Sequence, residues 1–232
     1  MTFIEALNSQ DLEKIRKFPK ADLHNHFVLG GSREYIFNKT GYKIKSITTP
    51  LKSMGEMDSW SSKYIGNHFN SPEGRKLLIE ATFAQAKFDG VTVLEIGEDV
   101  WGLGEFFDND IEKMIFCFQE ANARIAPEIE LRLQIGLSRH CSVDYLMNCL
   151  SHFWGHKEFY SIDLYGDELA QSIANFIPIY DKAAENGLVL KAHVGEWGTA
   201  KDIITAVELL HLNEVQHGIA AVQDENVIEY LI

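Results

Sequence analysis

Positive charge is what this chain has least of. Its 21 Lys and Arg stand against 34 Asp and Glu, a formal net charge of −13 over 232 residues. That balance argues against a nucleic-acid backbone or an anionic membrane surface as the main partner, because both would repel it. Long hydrophobic runs are missing too. None approaches the roughly 20 residues of a membrane span, and the opening MTFIEALNSQDLEKIRKF is charged where a signal peptide has its apolar centre. Cysteine is scarce: Cys117, Cys141 and Cys149 are an odd number without zinc-site spacing, as expected of reduced core thiols in a cytoplasmic protein. Neither GxGxxG nor GxxxxGK[ST] occurs, which removes the common nucleotide-binding readings.

What is present is an ordinary soluble composition, 46% apolar and 24% charged. The length suffices for a sizeable core. Residues 9–17 read as a short helix stopped by Pro19. Next comes ADLHNHF, residues 21–27, a strand signal carrying His24 and His26. Side chains on a strand alternate faces, so these two imidazoles point the same way and make a natural pair of metal ligands. Alone, His-x-His is a weak motif. Ser32 can cap a helix around 33–39. Residues 40–72 are rich in Ser, Thr, Gly and Lys, with Trp60, Tyr64 and Phe69 at no clear period; they read as a lid-like insertion.

From residue 72 helices and strands alternate. Helices are expected at 73–88 (with Leu77, Ala81, Ala84 and Phe88 as its apolar face), 110–125, 142–152, 168–186, 199–210 and from Asp224. Strands are expected at 91–97, 131–138, 159–166, 188–195 and 214–219. With the first, that makes six strands joined by crossover helices, an α/β pattern with parallel pairing. Polar groups recur toward strand ends: His24 and His26, Glu95, Asp163, His193, His217. A doubly wound sheet concentrates its site at one switch point. Contributions from nearly every strand favour a (β/α)8 TIM-type barrel, of which residues 1–232 hold about six of the eight units as one incomplete domain.

The stretch LVLKAHVGEWG, 188–198, places an imidazole and a carboxylate where a buried strand gives way to a loop. By itself it divides evenly between a functional site and a strand cap with a helix start. Three histidines, His24, His26 and His193, could hold a zinc ion. Zinc lowers the pKa of a bound water to about 7. Glu196 would then stand as general acid or base, and His217 could orient or deprotonate the water. Such a set suits hydrolysis of an amide, a phosphate ester or an amidine-like C–N bond, and the chemistry alone does not choose.

Four motifs, in order, resemble a known family. PKADLHNH is similar to the PK-x-[ED]-L-H-x-H opening of the adenosine and adenyl deaminases. SIDLYGDE, 161–168, resembles their G-x-D-L-x-G-D-E; AHVGEWG, 192–198, their H-A-G-E-x-G; and VQHG, 215–218, their G-H-G. The likeness runs from about Pro19 to Ile232. It implies a zinc-dependent hydrolase that deaminates adenosine or a related aminopurine to an inosine- or hypoxanthine-type product. His24, His26 and His193 would be the metal ligands. Glu196 would protonate the purine ring, His217 would interact with the attacking hydroxide, and the backbone N–H of Gly166 would bind the ring. Asp167 and Glu168 are expected to begin the helix that follows.

Two departures from the family pattern stand out. Its first motif continues H-x-H-x-[DE]-G, whereas this chain has Val28 at the acidic position, which cannot accept a hydrogen bond from a ribose hydroxyl. No S-x-x-T-D-D-like motif, the family's source of a fourth ligand and a further carboxylate, occurs here. A chain truncated in this way is expected to leave barrel edges unpaired and to self-associate. The alternatives are a non-catalytic remnant that binds a partner and a zinc hydrolase of another substrate.

Overall fold

The computed structural model describes residues 2–232. By its internal packing the chain divides into two units, residues 1–96 with 112–132, and 97–111 with 133–232.

In the first unit, strand β1 (Lys20–Asn25) runs parallel to β2 (Val91–Asp99), with Lys20 opposite Val91 and Asn25 opposite Ile96. The entry to β1 is fixed by the Lys20 ammonium, which donates to the carbonyls of Ile15 at 2.9 Å and Phe18 at 2.7 Å. A cation at a helix C-terminus satisfies orphan carbonyls and suits the dipole. Helix Leu12–Arg16 is capped by Asp11, and a further helix, Phe3–Asn8, precedes it where no helix was expected; its Thr2–Glu5 capping box is the overlooked signal. β1 gives way after Asn25 to a single helical turn, Phe27–Gly30, so His26 lies just past the strand. Ser32 caps helix Arg33–Thr40 as expected, its hydroxyl accepting from the Tyr35 N–H.

Residues 40–72 are more regular than their composition implies: helix Met54–Ser61 continues through a π-turn at Ser62–Gly66 into Asn67–Phe69. The long helix Pro72–Asp89 opens with Ser71 as cap and Pro at its first turn, and closes on Gly90 in the left-handed region. The apolar face expected of it is only partly right: Ala81 is buried, Leu77 and Ala84 are half-buried, and Phe88 is not part of the packed face. The stripe that packs inward holds Leu78, Ile79, Thr82, Phe83 and Ala86, while Phe88 lies exposed beneath the Arg16 guanidinium, 3.8 Å from its ring centre. The helix carries apolar residues on more than one side, so periodicity could not choose between faces. Phe27 and Phe118 meet edge to face at 5.8 Å in this unit's core, Phe118 coming from helix Ile111–Ile125.

In the second unit, β3 (Glu130–Ser138, from Leu133 on), β4 (Phe159–Tyr165), β5 (Val189–Val194) and β6 (Glu214–His217) pair in that order, all parallel. Asp163 stands opposite Lys191, and Val194 opposite His217. Helices Val143–Leu150, Ile177–Glu185 and Ala200–Leu210 intervene, and Glu225–Leu231 follows β6. The helix expected over 168–186 starts late. Residues 167–172 form turns held by the Asp167 carboxylate, which accepts from the Leu169 N–H, and by the Gln171 amide, which donates to the carbonyls of Arg139 and Cys141. A short 3₁₀ turn, Ile173–Phe176, then leads into a helix with Pro178 in its first turn, where proline is tolerated. Cys117, Cys141 and Cys149 form no disulfide and are half-buried rather than in the core. Among the described residues no helix is long and apolar enough to cross a membrane.

Candidate active site

In the second unit the polar residues of one strand face are tied to one another. Alternation along β5 puts Val189, Lys191 and His193 on one side. His193 is 5% exposed, and its Nδ1 lies 3.2 Å from Oδ1 of the fully buried Asp163 on β4. The other oxygen of Asp163 accepts from the Gln134 amide at 3.3 Å. A carboxylate on Nδ1 fixes the ring's orientation and leaves Nε2 as the outward nitrogen, the arrangement that suits an imidazole serving as metal ligand. Two residues earlier on the same face, the buried Lys191 ammonium sits 3.2 Å from the Glu214 carboxylate, which balances its charge.

His217 ends β6 with φ +63°, a left-handed conformation uncommon for a non-glycine residue, and Gly218 repeats it at +62°. Its ring centre is 4.9 Å from that of His193, and its Nε2 is 3.4 Å from Glu196 Oε2. Burial lowers the His217 pKa from its ordinary value, with the Glu196 carboxylate opposing in part. The ring therefore favours its neutral form, able to accept a proton. Tyr165, whose ring lies 5.6 Å from His193, is held far above the ordinary phenol range by burial and then by the charges of Asp99, Glu98 and Asp163, so it remains a neutral hydroxyl.

Glu196 lies on the loop between β5 and helix Ala200–Leu210. Gly195 makes the turn with φ +75°, and a side chain there would run into Ile203. The loop is gathered around Glu168, whose Oε1 accepts from the Gly195 N–H at 2.6 Å. Its Oε2 accepts from the N–H groups of Glu196, Trp197 and Gly198 at 3.1, 2.9 and 3.1 Å. The expectation that Glu168 begins a helix is overturned: it is buried, and its carboxylate serves a loop thirty residues away. Gly166, just after β4, has φ +91°, beside the chain at Arg139 and His140.

His24 and His26 belong to the first unit. Their rings meet edge to face, centres 5.3 Å apart, although His26 lies past the end of the strand whose alternation was the reason to pair them. The side chain of Asp22 braces the backbone there, accepting from the His24 N–H at 3.4 Å and the Asn25 amide at 2.7 Å. Val28 is half-buried in the following turn. The second unit holds His193, Glu196, His217 and Gly166. Sequence reasoning left Asp163 undecided between site and scaffold, and missed Glu168 as a site element. The available signal for Asp163 was its place on the same strand face as its neighbours' polar residues; for Glu168 it was the unexplained end of the G-x-D-L-x-G-D-E-like motif.

A family model described as adenosine deaminase matches residues 89–232. A putative adenosine/adenine deaminase of Treponema pallidum is 28% identical over 222 residues, covering 96% of this chain and 74% of its own. An adenine deaminase of Vibrio parahaemolyticus is 34% identical over 245 residues, covering 94% and 68%. Among solved structures, an adenine deaminase from Arthrobacter aurescens superposes with TM-score 0.69 at 23% identity, over 91% of this chain and 68% of that one. A zinc-bound amidohydrolase from Burkholderia ambifaria gives 0.72 at 18% identity, over 93% and 63%. The fold is therefore that of an incomplete TIM-type α/β barrel, six of whose strands are present. The chain spans roughly two thirds to three quarters of the lengths of these relatives.

Proposed function

The chain belongs to the adenosine deaminase family, and from that premise we propose that it is built for metal-dependent hydrolytic deamination of adenine, adenosine or a related aminopurine. The observation that carries the reading is the contact set of the second unit: His193 held through Nδ1 by Asp163, with His217 beside it and Glu196 within 3.4 Å of His217. His24, His26 and His193 would hold the ion. That ligand set comes from the family resemblance; three imidazoles are a common open zinc arrangement, and within the second unit Asp163 on Nδ1 leaves His193 its Nε2 for such a role. When bound, the ion supplies Lewis acidity that makes a water nucleophilic at neutral pH.

The chain's own residues would do the rest. The Gly166 N–H would donate to the ring and fix its register. Glu196 would carry the proton that goes to a ring nitrogen as the amino-bearing carbon is attacked. His217, favouring its neutral form, would accept a hydrogen bond from the attacking oxygen and take up its proton. Water enters, ammonia leaves, and the ring keeps a carbonyl. Val28, where the family pattern has a carboxylate, weakens recognition of a ribose hydroxyl and favours the free base as substrate.

Ammonia release from adenine, adenosine and related aminopurines, measured with and without added zinc, tests the proposal. The expected outcome is zinc-dependent release that Glu196→Ala lowers by roughly a hundredfold or more. Stoichiometric zinc binding without release from any aminopurine would overturn the deaminase reading.

A further inference from the structure

Glu168 receives four backbone N–H groups from consecutive residues of one loop, and no simple structural need explains so many. The loop could turn on Gly195 alone. Instead its whole path from Gly195 to Gly198 is wrapped around one buried carboxylate. The second glycine of the stretch exists for the same reason. A methyl group at position 198 would come within 2.6 Å of Glu168 Oε1 and 3.0 Å of Asp202 Oδ2, yet Gly198 needs no left-handed backbone. The middle of this loop carries Glu196, whose own N–H is one of the four. From that anchored backbone its carboxylate reaches His217.

We propose that Glu168 is a positioning residue: it sets the direction of the Glu196 carboxylate by holding the loop through its main chain. The proposal rests on the reading of Glu196 as the proton-carrying acid. A carboxylate suits the task because all its lone pairs accept, and charge strengthens each bond. An amide of the same size does not. One end of a glutamine would turn N–H donors against N–H donors, so Glu168→Gln keeps the volume and loses the cage.

The test uses the full zinc-loaded chain with two readouts. Amide hydrogen exchange at residues 195–198 reports the cage without reference to activity. In Glu168→Gln these amides are expected to exchange about tenfold faster or more. Ammonia release should fall roughly 10- to 100-fold in kcat, as expected for a catalytic group displaced by about 1 Å, with KM within about threefold. A merely space-filling Glu168 would tolerate glutamine and leave that split unmoved. Should Glu168→Gln not fold, Gly198→Ala disturbs the cage from the loop's side and is expected to do the same to a smaller extent. Unchanged exchange in both variants overturns the cage; faster exchange with wild-type kcat overturns the positioning role. If the wild-type chain releases no ammonia, or Glu196→Ala leaves release unchanged, the acid reading fails and the positioning role falls with it. The exchange rates would still say whether the cage exists.

Discussion

Two buried carboxylates in this chain, Glu80 and Glu168, are satisfied in opposite ways. Glu80, 9% exposed on helix Pro72–Asp89, is held by side chains: the Tyr35 hydroxyl donates to it at 2.9 Å and the Arg124 guanidinium pairs with its other oxygen. Arg124 turns its Nε to Glu120, and Glu120 reaches Lys76 at 3.1 Å, so a ladder of charges laces the helices of the first unit. Burial, and then Glu80, raise the Tyr35 pKa, which keeps the hydroxyl a donor. Glu168, 5% exposed, takes its hydrogen bonds from the backbone N–H groups of one loop, with the charge of the buried Arg139 guanidinium acting on it. The difference decides what each carboxylate does. A side-chain ladder can be exchanged as a set for apolar residues of similar volume, because its purpose is packing helices together. Backbone donors cannot be mutated away, so a carboxylate serving them dictates the path of the chain.

The sharpest break in this comparison is Glu168→Ala. It leaves four N–H groups without their acceptor, and Gly195 among them is buried. Water reaches the rest in part, so we expect a loss of about 3 kcal/mol rather than four full penalties, read by denaturant unfolding. Gly198→Ala should cost about 2 kcal/mol in the wild-type background through its clash with Glu168. The same substitution should cost under about 1 kcal/mol once Glu168 is alanine. Equal costs in the two backgrounds would mean that Gly198 is not there to admit the carboxylate.

Much of this architecture was legible in the residues. The alternation of helix and strand, the six strands and their parallel sense follow from period and punctuation. His24 with His26, and His193 with Glu196 and His217, stood out because imidazoles and carboxylates at strand ends have few structural reasons to be there. What escaped was set by distance along the chain. Asp163 and His193 are thirty residues apart, and a lone buried Asp on a strand reads equally as scaffold or site until its partner is seen. Glu168 resembled a helix start because acidic residues favour that position. Nothing local says that its acceptors' partners lie on the next strand's loop. The face of helix Pro72–Asp89 was only partly legible for another reason: its buried residues, Ala81 among them, spread around more than one side, and periodicity loses its direction.

In the first unit the effects should be smaller and reversible in combination. Arg124→Ala strips Glu80 of its cation, but the arginine side chain is 44% exposed, so screening holds the expected loss to about 1–2 kcal/mol. Adding Glu80→Leu to Arg124→Met should recover most of it, an outcome that has no counterpart at Glu168. If the double variant is as unstable as the single one, Glu80 also steers backbone and the comparison collapses.

At the rim of the ladder the effect should nearly vanish. Lys76, 48% exposed, pairs with Glu120, and Lys76→Ala should cost under about 0.5 kcal/mol at neutral pH. The direction of the pH dependence follows from the two shifts. Glu120 raises the Lys76 pKa, so that contribution is complete at neutral pH and lost only as alkaline pH passes the folded value. Arg124 and then Lys76 lower the Glu120 pKa, so its contribution is present above the ordinary carboxylate range and lost as pH falls through the lowered value. Wild type and Lys76→Ala should therefore unfold nearly alike across the neutral range and converge fully in acid. A gap that widened toward acid pH would show that Lys76 acts on something other than Glu120.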